Sequence, residues 1–212
     1  MKSFPEVLKA RYQRFKDGEF LPNAADFEQM AAIGQSPDVM VVSCCDSRVP
    51  PEAVFSSGPG EMFVVRNVAN LVPPFETSGR FHGVSAALEF AVLNLAVKHI
   101  VIMGHSGCGG IKTALNQSAA EQTELRFISN WMSMLDDVKL SVLSANQTAD
   151  KEHVQAELEL YGIQASLKNL RTFPFIKELE DEGRLDLHGA HFHVGTGELK
   201  VLDEENGKFI AL

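Results

Sequence analysis

The pattern of apolar and polar positions divides the chain into short continuous apolar runs and longer amphipathic stretches. Residues 39–42, 62–65 and 100–103 are runs of β-branched or large apolar side chains with no polar position among them. Runs of this length are typical of strands buried on both faces of a parallel sheet. An Ala- and Leu-rich stretch at residues 84–97 predicts a helix between the second and third runs. This order indicates an α/β fold with a mostly parallel β-sheet flanked by helices.

The N-terminal part of the chain has a different pattern. Residues 1–33 are largely amphipathic with helical spacing, and the pattern is broken at Gly18 and Pro22. They contain no cluster of side chains typical of a catalytic site. We therefore expect a single domain over the whole chain, with an N-terminal helical arm followed by an α/β core at residues 34–212.

The second half of the chain predicts more helices and a C-terminal hairpin. Helices are expected at residues 111–116 and 121–143, and a further helix is expected to begin after Asp150, which is a suitable N-cap. The last of these carries an apolar stripe that predicts core packing, formed by Val154, Leu158, Tyr161 and Ala165. Residues 185–202 alternate and then turn, which predicts a strand and hairpin at the edge of the sheet.

Composition narrows the class of protein. The 212 residues include 45% hydrophobic and 22% charged side chains, as in ordinary globular proteins. The net charge of −9 argues against nucleic acid or an anionic membrane as a partner. No apolar stretch reaches the roughly 20 residues of a membrane-spanning helix, and the N-terminus does not resemble a secretion signal. Three cysteines form a poor disulfide framework, so we expect a cytoplasmic protein with free thiols.

Candidate chemistry follows two of the predicted strands. Residues 43–48 contain the adjacent cysteines Cys44 and Cys45, and residues 104–110 contain His105 and Cys108 among four glycines. Because the carboxyl ends of parallel strands meet at one edge of a sheet, the two loops can converge. Two thiolates, one imidazole and one open position form a catalytic zinc set. The spacing alone leaves open which of the two adjacent cysteines takes part.

Taken together, these stretches resemble the β-class carbonic anhydrases, in particular their plant-like subset. The matching residues are 44–49, 63–70 and 104–110, and shorter matches at 187–189 and 196–199 extend the similarity to residue 202. The combination is much more specific than any one motif within it. The resemblance implies a mostly parallel sheet flanked by helices. It also implies homodimers, or higher assemblies of dimers, in which the N-terminal helices embrace the partner subunit.

The resemblance also implies roles for individual residues. Cys44, His105 and Cys108 are expected to hold one Zn²⁺ per subunit, with Asp46 and Arg48 as the catalytic pair beside it. The substrates are carbon dioxide and bicarbonate. The implied substrate-contacting residues are Gln35, Phe63, Val68 and Gly109.

The implied reaction is the reversible hydration of carbon dioxide to bicarbonate and a proton. Carbon dioxide is a neutral, weak electrophile, so its hydration near pH 7 requires hydroxide, which a zinc-bound water supplies. Two thiolates cancel the charge of Zn²⁺, so we expect weaker acidification of that water and higher activity at alkaline pH. Asp46 is expected to accept the proton, and Arg48 to hold Asp46 away from the metal.

Two other functions stay open at this point. In the first, the zinc site belongs to a structural or sensory binding module, although a structural site uses four protein ligands and needs no charged pair beside it. In the second, the same scaffold hydrolyses another small linear electrophile, which depends on the shape of the pocket.

Other residues carry weaker expectations. Cys45 is expected to be a buried neighbour that points away from the metal. His188, His191 and His193 are expected to be hydrogen-bonded or exposed histidines rather than a second metal site. Val41 stands where some family members have a tryptophan in an inhibitory bicarbonate pocket. We therefore expect no such pocket, an open site with Asp46 paired to Arg48 at neutral pH, and a smooth rise of activity with pH.

Overall fold

A computed structural model describes residues 3–116 and 126–212. The contacts divide the chain into two units, one ending at Ser36 and the other running from Pro37 to Leu212. None of the helices in the described ranges combines the length and apolar character that crossing a membrane requires.

The N-terminal unit contains two helices, α1 at Glu6–Phe15 and α2 at Ala24–Ile33. A π-helical turn at Lys16–Phe20 continues α1, so the predicted break at Gly18 is wrong. The helical path ends near Pro22 instead, where the chain enters a turn and the ring provides no N–H for a helical hydrogen bond. Neither helix buries any residue, which leaves their apolar side chains exposed within this unit.

The second unit is built on a six-stranded sheet. Its strands are β1 Val39–Cys44, β2 Met62–Asn67, β3 His99–His105, β4 Asp186–Phe192, β5 Leu199–Asp203 and β6 Lys208–Ala211. The spatial order is β2-β1-β3-β4-β5-β6, with the first four strands parallel and the last two antiparallel to their neighbours. The predicted α/β class and the three buried strands are confirmed. The predicted C-terminal strand and hairpin are β4 and β5, and β6 adds beyond β5 as the last strand on that side of the sheet.

Helices connect the strands of the sheet. They are α3 Pro51–Val54, α4 Gly83–Glu89, α5 Gly109–Asn116, α6 Arg126–Met132, α7 Asp136–Ala145, α8 Lys151–Leu170 and α9 Pro174–Asp181. A π-helical turn at Phe90–Asn94 extends α4, and the helix ends before Ala96, whose φ of 54° is left-handed. Of the helix expected at residues 121–143, the first five lie outside the described residues. The rest is interrupted by a 3₁₀ turn at Ser133–Leu135.

Helix α8 packs closely on the sheet. Asp150 caps its N-terminus by accepting a hydrogen bond from the His153 amide at 2.8 Å, as predicted. The expected apolar stripe is correct at Val154 and Leu158 and wrong at Tyr161, which is 44% exposed. The buried face continues instead through Gly162, Ile163, Ser166 and Leu167.

Two strand glycines make room for this helix. A Cβ added at Gly104 on β3 would lie 2.8 Å from the Ile163 side chain, and one added at Gly189 on β4 would lie 2.9 Å from it. The helix therefore sits at a distance from the sheet that only glycine permits at these two positions.

Candidate metal centre

Two paired strands and one helix start bring Cys44, His105 and Cys108 together. Cys44 is the last residue of β1 and His105 the last of β3, and these strands are parallel neighbours. Gly107, with a φ of +67°, turns the chain back so that Cys108 directly precedes α5. The two predicted loops therefore converge at the carboxyl edge of the sheet.

The three side chains have the spacing of a metal site. Their donor atoms all lie within 4.8 Å of one another, and all three residues are buried. The Sγ atoms of Cys44 and Cys108 are 3.8 Å apart. With Zn–S bonds of about 2.3 Å, tetrahedral coordination places two sulfurs about 3.8 Å apart. The sulfur pair therefore already matches the edge of a zinc tetrahedron.

His105 presents a free nitrogen to this cluster. Its Nδ1 lies 3.0 Å from the carbonyl oxygen of Ser106, which assigns the ring proton to Nδ1 as the donor. Nε2 is buried and has no hydrogen-bond partner among the described residues. A buried nitrogen without a partner is costly unless its lone pair binds an ion. The histidine is therefore oriented as a neutral Nε2 ligand, and the residues present fit a bound zinc ion.

The two thiols shift each other's pKa in opposite directions. The pKa of Cys44 is lowered, first by the hydrogen bond from the Cys108 thiol and, against the opposing effect of burial, also by His105. The same pairing raises the pKa of Cys108. A thiolate held in a buried position attracts a cation, and coordination by an ion deprotonates the second thiol as well.

Asp46 and Arg48 form the predicted pair beside the cluster. Arg48 donates from Nε to Asp46 Oδ1 at 2.9 Å and from Nη2 to Oδ2 at 2.7 Å. The Arg48 amide also donates to Oδ1 at 3.0 Å, and Nη2 reaches the carbonyl of Gly107 at 3.2 Å. The hydrogen bonds from Arg48 hold the pKa of Asp46 well below its usual range. Asp46 Oδ2 lies 3.9 Å from His105 Nε2, so an ionised carboxylate lies at the edge of the metal cluster.

Arg66 fixes the backbone under this pair. Its Nε donates to the carbonyl of Cys44 at 2.9 Å, and its Nη2 donates to the carbonyl of Asp46 at 2.6 Å. The guanidinium thereby ties the loop after β1 to the neighbouring strand β2. This contact holds Cys44 and Asp46 in a fixed relation to each other.

Glu159 is a part of the site that the sequence analysis missed. Its side chain, on α8, is 3% exposed, and Oε1 accepts hydrogen bonds from the Cys108 amide and from Gln155 Nε2, both at 2.9 Å. Oε2 lies 3.4 Å from His191 Nε2. The carboxylate thus anchors the Cys108 loop to α8. The sequence feature that could have indicated Glu159 is a charged residue directly after the buried Leu158.

The remaining predicted site residues lie in different places. Val68 packs in the core cluster that contains Cys44 and Cys108, and its carbonyl accepts a hydrogen bond from Trp131 Nε1 at 2.8 Å. Gly109 begins α5, next to Cys108. These two positions therefore border the metal cluster within one subunit.

Phe63 lies away from the metal cluster, and Gln35 belongs to the N-terminal unit. Phe63 pairs in register with Met40, four residues before Cys44, and packs against Phe90 with ring centroids 5.9 Å apart. Four strand residues span about 13 Å, so Phe63 belongs to another part of the core. Gln35 is exposed and belongs to the N-terminal unit. Their substrate contacts stay predictions.

Cys45 is exposed, so its predicted burial is wrong. The reason is that β1 ends at Cys44, and strand alternation no longer sets the direction of the next side chain. The Cys45 amide donates to the carbonyl of Asn67 at 2.8 Å, while Asp46 faces the metal cluster.

The C-terminal histidines and Val41 complete the comparison with expectation. His191 is buried against Glu159, whereas His193 is exposed in the turn after β4, where its Nδ1 accepts from the Thr196 amide at 3.1 Å. The two were expected on one strand face, but the strand ends at Phe192 between them. Val41 is buried in an apolar cluster with Met103 and Ala190.

A cleft of about 740 Å³ opens beside the pair of Asp46 and Arg48. Its walls include Arg48, Gly107, Glu159 and His191, together with residues of the turn after β4. Solvent-filled space therefore reaches the loop that carries Cys108 and the residues that anchor it.

One prediction concerns the anchor itself. Glu159→Ala leaves the buried Cys108 amide without its acceptor, and an unsatisfied buried donor costs about 1–3 kcal/mol. We expect urea denaturation to show a loss of this size in the free energy of unfolding. Glu152→Ala, at an exposed position on the same helix, is expected to cost under about 1 kcal/mol. Equal losses in the two variants would argue against an anchoring role.

Comparisons with known proteins agree with this geometry. The family model described as carbonic anhydrase matches residues 39–199. Beta carbonic anhydrase 6, a mitochondrial protein of Arabidopsis thaliana, is 34% identical over 197 residues, which cover 93% of this chain and 67% of that protein. The solved structure of the beta-carbonic anhydrase CcaA has a TM-score of 0.91 and 31% identity, covering 98% of this chain and 91% of that one.

A further solved structure comes from a fungus. One of the tetrameric beta-carbonic anhydrases of Sordaria macrospora has a TM-score of 0.82 and 29% identity, covering 93% of this chain and 96% of that one. Fold and site together define an α/β protein with a buried Cys₂His group that could hold a metal ion, next to an aspartate–arginine pair. The chain belongs to the carbonic anhydrase family, in its β class.

Proposed function

We propose that this protein catalyses the reversible hydration of carbon dioxide to bicarbonate and a proton. In this proposal Cys44, His105 and Cys108 hold one Zn²⁺ per subunit. The observation that carries it is the buried set of three donors within 4.8 Å of one another, with the two sulfurs spaced as in a zinc tetrahedron, beside a carboxylate whose pKa is held low by Arg48. Membership of the family supports the same reaction, since carbon dioxide hydration is the known activity of carbonic anhydrases.

The donor set favours a catalytic site over a structural one. Structural zinc sites are closed by four protein ligands, whereas catalytic sites use three and keep one position open. When bound, zinc acts as a Lewis acid that lowers the pKa of water enough to provide hydroxide near neutral pH. The ionised pair of Asp46 and Arg48 beside the cluster has a use in an enzyme and none in a closed structural site.

Asp46 is the proposed hydrogen-bond acceptor for the reacting water or hydroxide. Its Oδ2 faces the cluster, 3.9 Å from His105 Nε2, and is therefore the oxygen placed to accept that hydrogen bond. Because its pKa is held well below its usual range, the carboxylate stays ionised and orients the reacting oxygen. Arg48 binds both carboxylate oxygens in a bidentate arrangement and so fixes the direction of the Asp46 side chain. Arg48 thereby also keeps the carboxylate of Asp46 away from the position of the metal.

Substrate contacts are assigned by the family pattern. We propose that Val68 and Gly109, which border the cluster, line the carbon dioxide pocket, and that Gln35 donates to an oxygen of the product. Phe63 lies about 13 Å along the sheet from the cluster, so it does not line this pocket within one subunit. Apolar lining suits a neutral, linear substrate, and an amide donor suits a developing anion.

Self-association and location are part of the same proposal. Exposed apolar side chains of the N-terminal unit, such as Phe4, Leu8 and Tyr12, support contacts with another subunit. The Sordaria relatives are described as tetrameric, which supports a homo-oligomer built from dimers. The three free cysteines support a cytoplasmic location. The Arabidopsis relative, by contrast, is named as a mitochondrial protein.

Stopped-flow measurement of carbon dioxide hydration, with zinc quantified in the same sample, tests the proposal. We expect one tightly held zinc per chain and a rate that falls to background when a chelator removes it. Because two thiolate ligands weaken the acidifying effect of the ion, the rate should increase between about pH 7 and pH 9. Full zinc content without hydration activity would instead support a structural or sensory module.

A further inference from the structure

A second group of metal-ligating side chains lies at the opposite end of the strands. His99 is the first residue of β3 and Asp186 the first of β4, and the two are paired in register. His188 follows two residues later on β4, so its side chain points to the same face as Asp186. One donor atom from each of the three lies within 4.8 Å of the other two.

The distances between these donors match a coordination shell. His99 Nδ1 lies 3.2 Å from His188 Nε2 and 3.4 Å from Asp186 Oδ2. Bonds of about 2.0–2.1 Å to one ion place neighbouring ligand atoms about 3.0 Å apart in an octahedron and about 3.4 Å apart in a tetrahedron. The two measured distances, 3.2 and 3.4 Å, fall within this range of about 3.0–3.4 Å. A single ion could therefore replace the shared proton between the two rings with little movement of any side chain.

The donor types define the class of ion. Two imidazoles and one carboxylate, with no thiolate, suit borderline divalent transition ions such as Zn²⁺ and Ni²⁺. The side chains of His99 and Asp186 are 40% and 63% exposed. Such a site is open to solvent, and its ion exchanges more readily than one held by buried thiolates.

The surrounding charges permit a cation. Lys98, the neighbour of His99, is engaged with Asp38 at 2.9 Å. Arg171, which directly follows α8, is held between Glu180 and Glu204 at 2.7 and 2.8 Å, so its charge is balanced. The carboxylates of Asp186 and Glu204 both act on His188 as negative charges, which favours a cation beside it.

We propose that His99, Asp186 and His188 form a second metal site that takes a borderline divalent transition ion. The site ties the first residues of β3 to those of β4. His105 lies six residue steps along β3 from His99, which is about 20 Å, so this ion stands apart from the Cys₂His centre. Binding to the folded chain alone stabilises it by mass action and leaves the hydration rate unchanged.

Zinc uptake by the holoenzyme tests the site. The protein, already containing its tightly held zinc, is dialysed against excess Zn²⁺, and the metal content and melting temperature are measured. We expect two zinc ions per chain and a higher melting temperature in the wild type. His188→Ala and Asp186→Asn should each lower the affinity for the second zinc at least about tenfold and abolish the thermal shift.

The matched control is His153→Ala, which removes an exposed histidine outside this group. It should retain the second zinc and the thermal shift. Unchanged carbon dioxide hydration in all three variants would verify that they are folded. Uptake of a single zinc by the wild type, retention of the second zinc by His188→Ala, or its loss in His153→Ala would each overturn the proposal.

Discussion

Replacing Cys108 with alanine should remove zinc and carbon dioxide hydration together. The side chain is almost fully buried, and its sulfur lies 3.8 Å from that of Cys44, which is the separation of two sulfurs bound to one zinc ion, so alanine removes that ligand. Two remaining donors are too few to hold a catalytic zinc tightly. We expect hydration to fall to background and zinc content to fall below about a tenth of the wild-type value, because the metal supplies the reactive water.

The measurement uses stopped-flow hydration and elemental analysis after dialysis against a weak chelator, which also strips any exposed ion. Cys45→Ala is the matched control, since it removes an exposed thiol from the same edge of the sheet. It should keep both zinc and rate. Full zinc stoichiometry in Cys108→Ala would show that the ligand assignment is wrong, and loss of zinc in Cys45→Ala would reverse the choice between the adjacent cysteines.

The second large effect is expected from the pair of Asp46 and Arg48. Asp46→Asn should lower kcat/KM by about 10²-fold or more with zinc retained, because it replaces the ionised hydrogen-bond acceptor beside the reacting water with a neutral amide and removes no ligand. Arg48→Ala should also be slow, because the freed carboxylate can turn toward the metal position only a few ångströms away. Asp46→Asn/Arg48→Ala should therefore be faster than the product of the single losses predicts.

The pH dependence of the Arg48→Ala variant shows whether its loss of activity comes from the position of the Asp46 carboxylate or from its protonation. Arg48 lowers the pKa of Asp46, so the carboxylate is ionised above that lowered value and loses its charge only in strong acid. Even an unpaired aspartate has a pKa of about 3.9. Asp46 is thus ionised from pH 6 to 9 with or without Arg48, so its own protonation does not change the deficit of Arg48→Ala over that range. Because hydroxide competes better with the freed carboxylate as the pH rises, the deficit should shrink from pH 7 to pH 9. A deficit that stays constant or grows with pH there, or a double variant with fully multiplicative losses, would contradict the coupled pair.

Local sequence signals were sufficient for the part of the site that lies on strand ends. Continuous β-branched runs identify strands buried on both faces, and parallel strands bring their carboxyl ends to one edge. The adjacent cysteines Cys44 and Cys45 could be placed beside His105 on those grounds alone, and the family resemblance selected Cys44. Arg48 and Asp46 are two residues apart, and their pairing is a local contact that follows from charge.

Contacts between distant parts of the chain could not be read in the same way. The phase of α8 was set on Tyr161, whereas the sheet accepts Ile163 because Gly104 and Gly189 make room for it. That shift of phase hid Glu159, whose partners are far away in sequence. The direction of the Cys45 side chain depends on where β1 stops, which its own sequence does not specify.

The interior position of β4 is a second case. Its alternating pattern indicates one exposed face at its start, where Asp186 and His188 are open to solvent. Such a pattern indicates that one face of the strand is exposed, but it does not indicate whether the strand lies at the edge of the sheet. The short strand β6, which adds beyond β5, completes the sheet through pairing rather than through a strong apolar signal.

The anchoring of the three donors has a thermodynamic consequence for how the protein acquires its metal. Cys44 and His105 end two paired strands, and the amide of Cys108 is held by a carboxylate on α8. In small zinc modules the ion must order the chain, and its binding free energy is largely folding free energy. Here the sheet and helix have already ordered the donors, so capture of the ion freezes little additional backbone. Folding and metal loading are thus separable events, and the chain can be completed first and supplied with zinc afterwards.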